Sequence, residues 1–136
     1  MSSFYTQILT PSGVAFEGET ESVKIPGTKG SFEVRRNHAS LISLMEIGVA
    51  RITKAEDQKE LKYAISGGFS EVNDNTVIIM AEAAEEKGEI DVERAKKARE
   101  RAEQKLKKKS GDVDVHRAEL ALKRAINRIK LSELKN

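Results

Sequence analysis

Two rows of cations stand at helical spacing in the second half of the chain. Arg94, Arg101 and Lys105 are separated by seven and then four residues, and Arg117, Arg124 and Arg128 repeat that spacing. At about 100° per residue, each trio falls within roughly 40° of one helical face. Two antiparallel helices with such rows turned toward each other could clamp a polyphosphate through charge-assisted, partly bidentate bonds. The same spacing fits a solvated face whose charge is balanced by Glu93, Glu100, Glu103 and Glu119, and the residues alone leave both readings open.

Other chemistry is scarcer. Asp91 and Asp114 read first as helix N-caps, since a short carboxylate satisfies the orphan N–H groups of a first turn; the same oxygens can accept from a ribose or an adenine amino group. Gly27-Thr28-Lys29-Gly30 lacks the full Gly-x4-Gly-Lys-Ser/Thr spacing of a phosphate loop. With no cysteine, the chain has no disulfide, thiolate zinc site or cysteine nucleophile, and His38 and His116 are its only imidazoles. His38 lacks a nearby serine nucleophile with an orienting group, which disfavours a small hydrolase; neither a metal nor a required cofactor is expected. The Lys107-Lys108-Lys109 run reads as a solvated turn, because a nucleic-acid surface wants interleaved aromatics and this half has none. A basic helical-hairpin module binding nucleic acid is the alternative reading of this half, and it predicts affinity falling steeply with salt.

The elements that position these residues follow from an uneven composition. The chain has 136 residues, 38% hydrophobic and 34% charged, with no apolar run near the ~20 residues of a membrane span and no basic-then-apolar leader pattern in its first residues. It is therefore expected to stay in the compartment where it is made. Residues 1–85 carry 8 Lys/Arg against 12 Asp/Glu, whereas residues 86–136 carry 16 against 10, a net of −4 followed by a net of +6. All six aromatics and both prolines precede residue 70. In this first part, Val23 and Ile25 alternate with Ser22 and Lys24, and Tyr63 and Ile65 with Lys62 and Ala64. Punctuation by Pro11-Ser12-Gly13, Pro26-Gly27, Gly67-Gly68 and Asn73-Asp74-Asn75 suits an antiparallel sandwich or barrel. The continuous run Val77-Ile78-Ile79-Met80 predicts a last strand buried on both faces.

The second part is rich in Ala, Glu, Lys and Arg, all strong helix formers, and Gly88 and Ser110-Gly111 divide it into two helices. Ile90-Asp91-Val92-Glu93-Arg94-Ala95 returns as Val113-Asp114-Val115-His116-Arg117-Ala118, an internal repeat of period 23. Extending it pairs Ala98 with Ala121, Arg101 with Arg124, Ala102 with Ala125, Lys105 with Arg128 and Leu106 with Ile129. The predicted fold class is an all-β N-terminal sandwich or barrel, residues 1–85, followed by a C-terminal antiparallel two-helix hairpin, residues 88–136. Its alanine-rich seam buries little apolar area, so the hairpin should be marginal and able to change shape.

Taken in order, these motifs resemble the epsilon subunit family of the bacterial and chloroplast F-type ATP synthase, equivalent to the mitochondrial delta subunit. The resemblance runs through Leu9-Thr10-Pro11-Ser12-Gly13, Asn37-His38-Ala39, Ser66-Gly67-Gly68-Phe69-Ser70-Glu71-Val72, the Ile90–Ala95 phrase and Arg117-Ala118-Glu119-Leu120-Ala121-Leu122-Lys123-Arg124-Ala125. It implies a non-catalytic rotor subunit of the central stalk, peripheral on the cytoplasmic face of a bacterial plasma membrane. The sandwich would bind the gamma subunit and the c-ring, with Ser31, Arg35, Arg36 and His38 at that interface. The hairpin would inhibit ATP hydrolysis when extended into the alpha/beta catalytic head, and ATP, as a regulatory ligand, would hold it folded. The family's nucleotide motif Ile/Leu-Asp-x-x-Arg-Ala is matched by Ile90, Asp91, Arg94 and Ala95, and the resemblance adds Glu85, Arg101, Arg124 and Arg128 to the pocket. Nucleic acid is not among the implied partners. Residues 30–41 depart from the family pattern Gly-x-Leu-Gly-Ile-Leu-Pro-x-His-Ala-Pro-Leu, two prolines and a glycine being replaced, so other residues must shape that loop.

Overall fold

The computed structural model describes residues 2–108, 111 and 114–134. Ser110 of the expected turn, Lys109 of the lysine run and Val113 of the repeat lie outside the described residues. Seven strands come first: β1 (Phe4–Thr10), β2 (Gly13–Gly27), β3 (Gly30–Val34), β4 (Leu41–Lys54), β5 (Glu60–Asn73), β6 (Thr76–Ala81) and β7 (Ala84–Glu86). A 3-10 turn, Lys87–Glu89, then leads into the helices α1 (Val92–Lys108) and α2 (Val115–Glu133). The all-β body followed by two helices is the predicted fold class.

The strands pair in the order β1-β6-β5-β4-β2-β3, and β1 also pairs with the first half of β2, so five of them close on one another. Closure removes the open edges that would otherwise invite pairing with other chains. The expectation of a wholly antiparallel body is corrected at one seam: β1 and β6 run parallel, Tyr5 opposite Thr76 through Leu9 opposite Met80. A parallel pair needs a long connection, and here the four intervening strands supply it. The β5–β6 connection is the two-residue loop Asp74-Asn75 with φ of 47° and 57°, the primed turn that suits the twist of a hairpin. In the divergent loop after β3, Asn37 adopts φ 64°; its N–H donates to Asn75 Oδ1 at 2.6 Å and Asn75 Nδ2 donates back to Asn37 Oδ1 at 3.2 Å. This asparagine pair ties the loop to the β5–β6 turn.

Inside lie Phe4, Ile8, Val23, Ile25, Ile52, Ile65, Val77 and Ile79, with the hydroxyls of Thr6 and Thr20 paired at 2.7 Å among them. Two sequence expectations need correction. Lys62 and Ala64 are as buried as the Tyr63 and Ile65 they alternate with. Ala64 shares a crevice with Arg124, Asn127 and Arg128 of α2, and the Lys62 amine lies 3.2 Å from Glu60, so this outer face of β5 is covered. Conversely, β6 is buried on one face only, because Met80 remains 40% exposed, and the short β7 follows it. The inward set on β5 changes from Tyr63 and Ile65 to Ser70 and Val72 across Gly67 and Gly68, with φ of 92° and 119°. Only glycine takes such angles readily, and the change of parity lets one long strand serve both ends of the core.

Each helix begins on its repeat aspartate. Asp91 Oδ1 accepts from the Arg94 N–H at 3.1 Å, and Asp114 Oδ1 from the Arg117 N–H at 3.0 Å. The buried alanines are repeat partners too, Ala95 with Ala118 and Ala102 with Ala125. The two helices pack against each other and share one cleft, as consecutive helices only six residues apart do when they run antiparallel. Helix α2 lies against β4 and β5, where Asn127 Nδ2 donates to Gly48 O at 2.9 Å.

A Cβ at Gly68 would collide with the Met80 carbonyl, whereas at Gly13, also at positive φ, it would meet open space. Gly68→Ala should therefore lower stability by about 2 kcal/mol or more in urea unfolding, and Gly13→Ala by less, the difference being the collision.

Candidate functional site

Three clefts border α2, and Arg124 reaches all of them. The largest, about 530 Å³, lies between the helices and is lined by Arg101, Lys105, Arg117 and Arg124 over a floor of Ala98, Ala102, Ala118 and Ala121, with Asp114 at one end. The floor follows from the repeat: small side chains at i, i+3 and i+4 bring the backbones close, and the long cations flanking them stand around the gap. None of these four cations, nor Arg94, forms an ion pair with a carboxylate among the described residues. The balancing carboxylates of the solvated-face reading do not serve them, since Glu103 pairs instead with Arg99 at 3.6 Å.

A second cleft, between α2 and the barrel, is a crevice of about 10 Å³, room for about one water. Glu85 on β7 and Arg128 on α2 meet there, with Arg128 Nε 3.0 Å from Glu85 Oε1. The N–H is not aimed at the oxygen, so Glu85 Oε1 is buried without a hydrogen bond. Nearby on β5, burial and then the charges of Glu86 and Glu89 push the Tyr63 phenol up to about 12, and it stays a neutral donor to Ala15 O at 3.4 Å. The third cleft, about 420 Å³, separates Leu120, Lys123 and Arg124 from Glu46, Gly67 and Glu82 of the barrel.

The eight residues nominated for nucleotide binding thus fall in three places. Arg101 and Arg124 share the inter-helix cleft; Glu85, Arg124 and Arg128 share the crevice; Ile90, Asp91, Arg94 and Ala95 form the start of α1 and line neither. Asp91 is engaged as a cap and Ala95 is buried. Lys105 and Arg117 belong to the cationic rows but not to the family motif, and their place in the cleft is set by how the helices pair. Ser31, Arg35, Arg36 and His38 all lie on β3 or the loop after it. Arg35 pairs with Glu33 at 2.9 Å, and His38 Nδ1 donates to Ala39 O at 2.7 Å.

One surface feature has no sequence signature. Leu9, Met80, Phe69 and Leu44 stand opposite one another on β1, β6, β5 and β4, an apolar row in which Leu44 is 66% and Phe69 41% exposed. Its members are far apart in the chain, so no period announces it. No group of metal-ligating side chains and no helix long and apolar enough to cross a membrane occurs among the described residues.

Fold and clefts together define a small closed barrel carrying a basic, barrel-docked helical hairpin. Residues 3–87 match the family described as the ATP synthase delta/epsilon chain, beta-sandwich domain, and residues 89–133 its long alpha-helix domain. The chain belongs to the ATP synthase delta/epsilon chain family, as the resemblance of its motifs implied. It is 45% identical over 109 residues to the ATP synthase epsilon chain of Brevibacillus brevis, covering 80% of this chain and 82% of that one. To the epsilon chain of Desulforamulus reducens it is 44% identical over 126 residues, covering 93% and 94%. Among solved structures, a chain of the Euglena gracilis mitochondrial ATP synthase, in an assembly with the c-ring, superposes with a TM-score of 0.80 at 25% identity, covering 93% of this chain and 79% of that one.

Asn127→Ala should remove the α2 side-chain hydrogen bond to Gly48 O, at a cost of about 1 kcal/mol. Amide exchange in α2 should speed up while protection in β5 and β6 stays unchanged.

Proposed function

We propose that this chain is the rotor subunit that joins gamma to the c-ring in an F-type ATP synthase, and that its hairpin is an ATP-sensitive brake on hydrolysis. In this reading, residues 1–85 dock on gamma and the ring, and residues 88–136 regulate. Docking would use the apolar row across β1, β6, β5 and β4 together with the loop bearing Ser31, Arg35, Arg36 and His38. The subunit does no chemistry of its own and sits peripherally at the cytoplasmic face of a bacterial membrane through its partners. The similarity to epsilon chains of bacteria and to a chain of a c-ring assembly supports this placement.

The observation that carries the regulatory part is the set of cations without carboxylate partners on both sides of an alanine seam. Small side chains contribute little burial, and like charges repel across the cleft, so the folded hairpin gains from a bound polyanion. ATP held by Glu85, Ile90, Asp91, Arg94, Ala95, Arg101, Arg124 and Arg128 would stabilise the folded form by RT ln(1 + [L]/Kd), about 2.7 kcal/mol at a hundredfold excess over Kd. Glu85 Oε1, buried without a donor, would accept from the adenine amino group once the crevice widens. As ATP falls, the helices release and reach toward the alpha/beta head.

Titration of the full chain with ATP should show binding, weakened roughly tenfold or more by Arg94→Ala and by Arg124→Ala, since a charged hydrogen bond is worth ~1.5 to 3 kcal/mol. Unchanged isotherms in both variants would remove ATP from this hairpin. In the reconstituted complex, deleting residues 87–136 should leave assembly with gamma intact and raise ATP hydrolysis, most at low ATP. Equal rates of truncated and full-length complexes at every ATP concentration would exclude a brake.

A further inference from the structure

The space between α2 and the barrel widens along the helix. Beside Asn127 and Arg128 it is the crevice of about 10 Å³, where Asn127 donates to Gly48 O and Arg128 lies against Glu85. Toward the start of α2 it opens to about 420 Å³, between Leu120, Lys123 and Arg124 on one wall and Glu46, Ile47 and Glu82 on the other. The walls carry opposite charge, and no cation stands among the barrel residues that line this cleft. Among the described residues, none of Glu46, Glu82, Lys123 and Arg124 forms an ion pair, and the first three are exposed. Ile47 and Leu120, which face the same opening, are only half-buried. The rest of the barrel wall includes Ser66, Gly67 and Gly68, whose small side chains or lack of them leave the helix room to approach. One end of α2 is thus seated, while the other stands off a surface that it complements in charge.

From this geometry we infer that α2 is a lid that pivots on its seat at Asn127 and Arg128 and closes on the barrel, where Lys123 and Arg124 latch onto Glu46 and Glu82. Closure brings opposite charges together and removes Ile47 and Leu120 from water, so both electrostatic attraction and apolar burial favour it. Lys123 is the distinguishing residue. It lines this cleft alone, whereas Arg124 also borders the other two. Ion pairs at an exposed surface are individually weak and are screened by salt, so such a latch opens readily. It sets how firmly the hairpin is held before any ligand or partner arrives. The latch requires neither ATP nor an assembled ATP synthase and therefore stands apart from the proposed brake.

Amide hydrogen exchange of the full chain, without nucleotide, tests this at low ionic strength. Lys123→Glu should lower protection in residues 118–127 of α2 roughly two- to fivefold, the range expected for exposed ion pairs, and leave β5 and β6 unchanged. Adding Glu46→Lys or Glu82→Lys to that variant should restore protection in at least one of the two combinations, which names the partner acid. A change in helix propensity at position 123 cannot be repaired from the barrel, so restoration isolates the contact across the cleft. Raising the salt should lower protection of the same segment in the wild type and do so less in Lys123→Gln. Far-ultraviolet circular dichroism checks that each variant keeps its helices, and the neutral Lys123→Gln reads the same contact if the charge reversal disturbs them. Protection in Lys123→Glu equal to wild type, or failure of both barrel substitutions to restore it, overturns the latch. So does a salt response as large in Lys123→Gln as in the wild type. Failure of the chain to bind ATP would remove the nucleotide reading and leave this result standing.

Discussion

Small residues at the helix contacts govern the geometry of the second half of this molecule. Ala98, Ala102, Ala118 and Ala121 line the cleft between the helices, and Ala95 and Ala125 are buried. Two backbones separated by methyl groups come close, but the apolar area removed from water is slight. Close approach also forces the long flanking side chains together, and Arg101, Lys105, Arg117 and Arg124 gather around a single cleft. The same seam thus leaves four cations around one cleft without carboxylate partners among the described residues. A polyanion bound there, as proposed, would offset both the slight burial and the unanswered charge by bridging the helices and screening their repulsion. The proposed regulation by a small ligand would need only a hairpin whose folded state is close in free energy to a released one.

The barrel is built the opposite way. Its core is β-branched and aromatic, and its strands close into a ring through the parallel β1–β6 seam. The parity change at Gly67 and Gly68 keeps β5 continuous along the whole body while its inward set shifts. A consequence appears on the outside, where Leu44, Phe69, Met80 and Leu9 stand in register across four strands. An apolar row of this kind on a rigid surface suits a permanent partner.

Between the two bodies the contacts are few and local. Asn127 reaches the carbonyl of Gly48, a position where a Cβ would strike Pro26, and Arg128 lies beside Glu85. Among the described residues, one hydrogen bond and one poorly aligned ion pair link α2 to the barrel, and Ile129 and Leu131 are buried near its C-terminal end. Arg124 lines all three clefts and so links the space between the helices to the barrel surface.

Much of this was legible in the residues. The succession of strands then helices, both aspartate caps, a turn at Asn73-Asp74-Asn75 and the partners of the 23-residue repeat follow from local backbone preference and from helical period, which act within a few residues. Family motifs likewise pointed to the matched family across both halves. Tertiary structure alone decided the burial of Lys62 and Ala64, the exposure of Met80, the parallel seam and the division of the eight nominated residues between two clefts and the start of α1. Each of these depends on which surface another element covers. Period identifies the faces of a strand or helix, but only the packing of distant elements determines whether a face meets solvent, a carboxylate or three more cations.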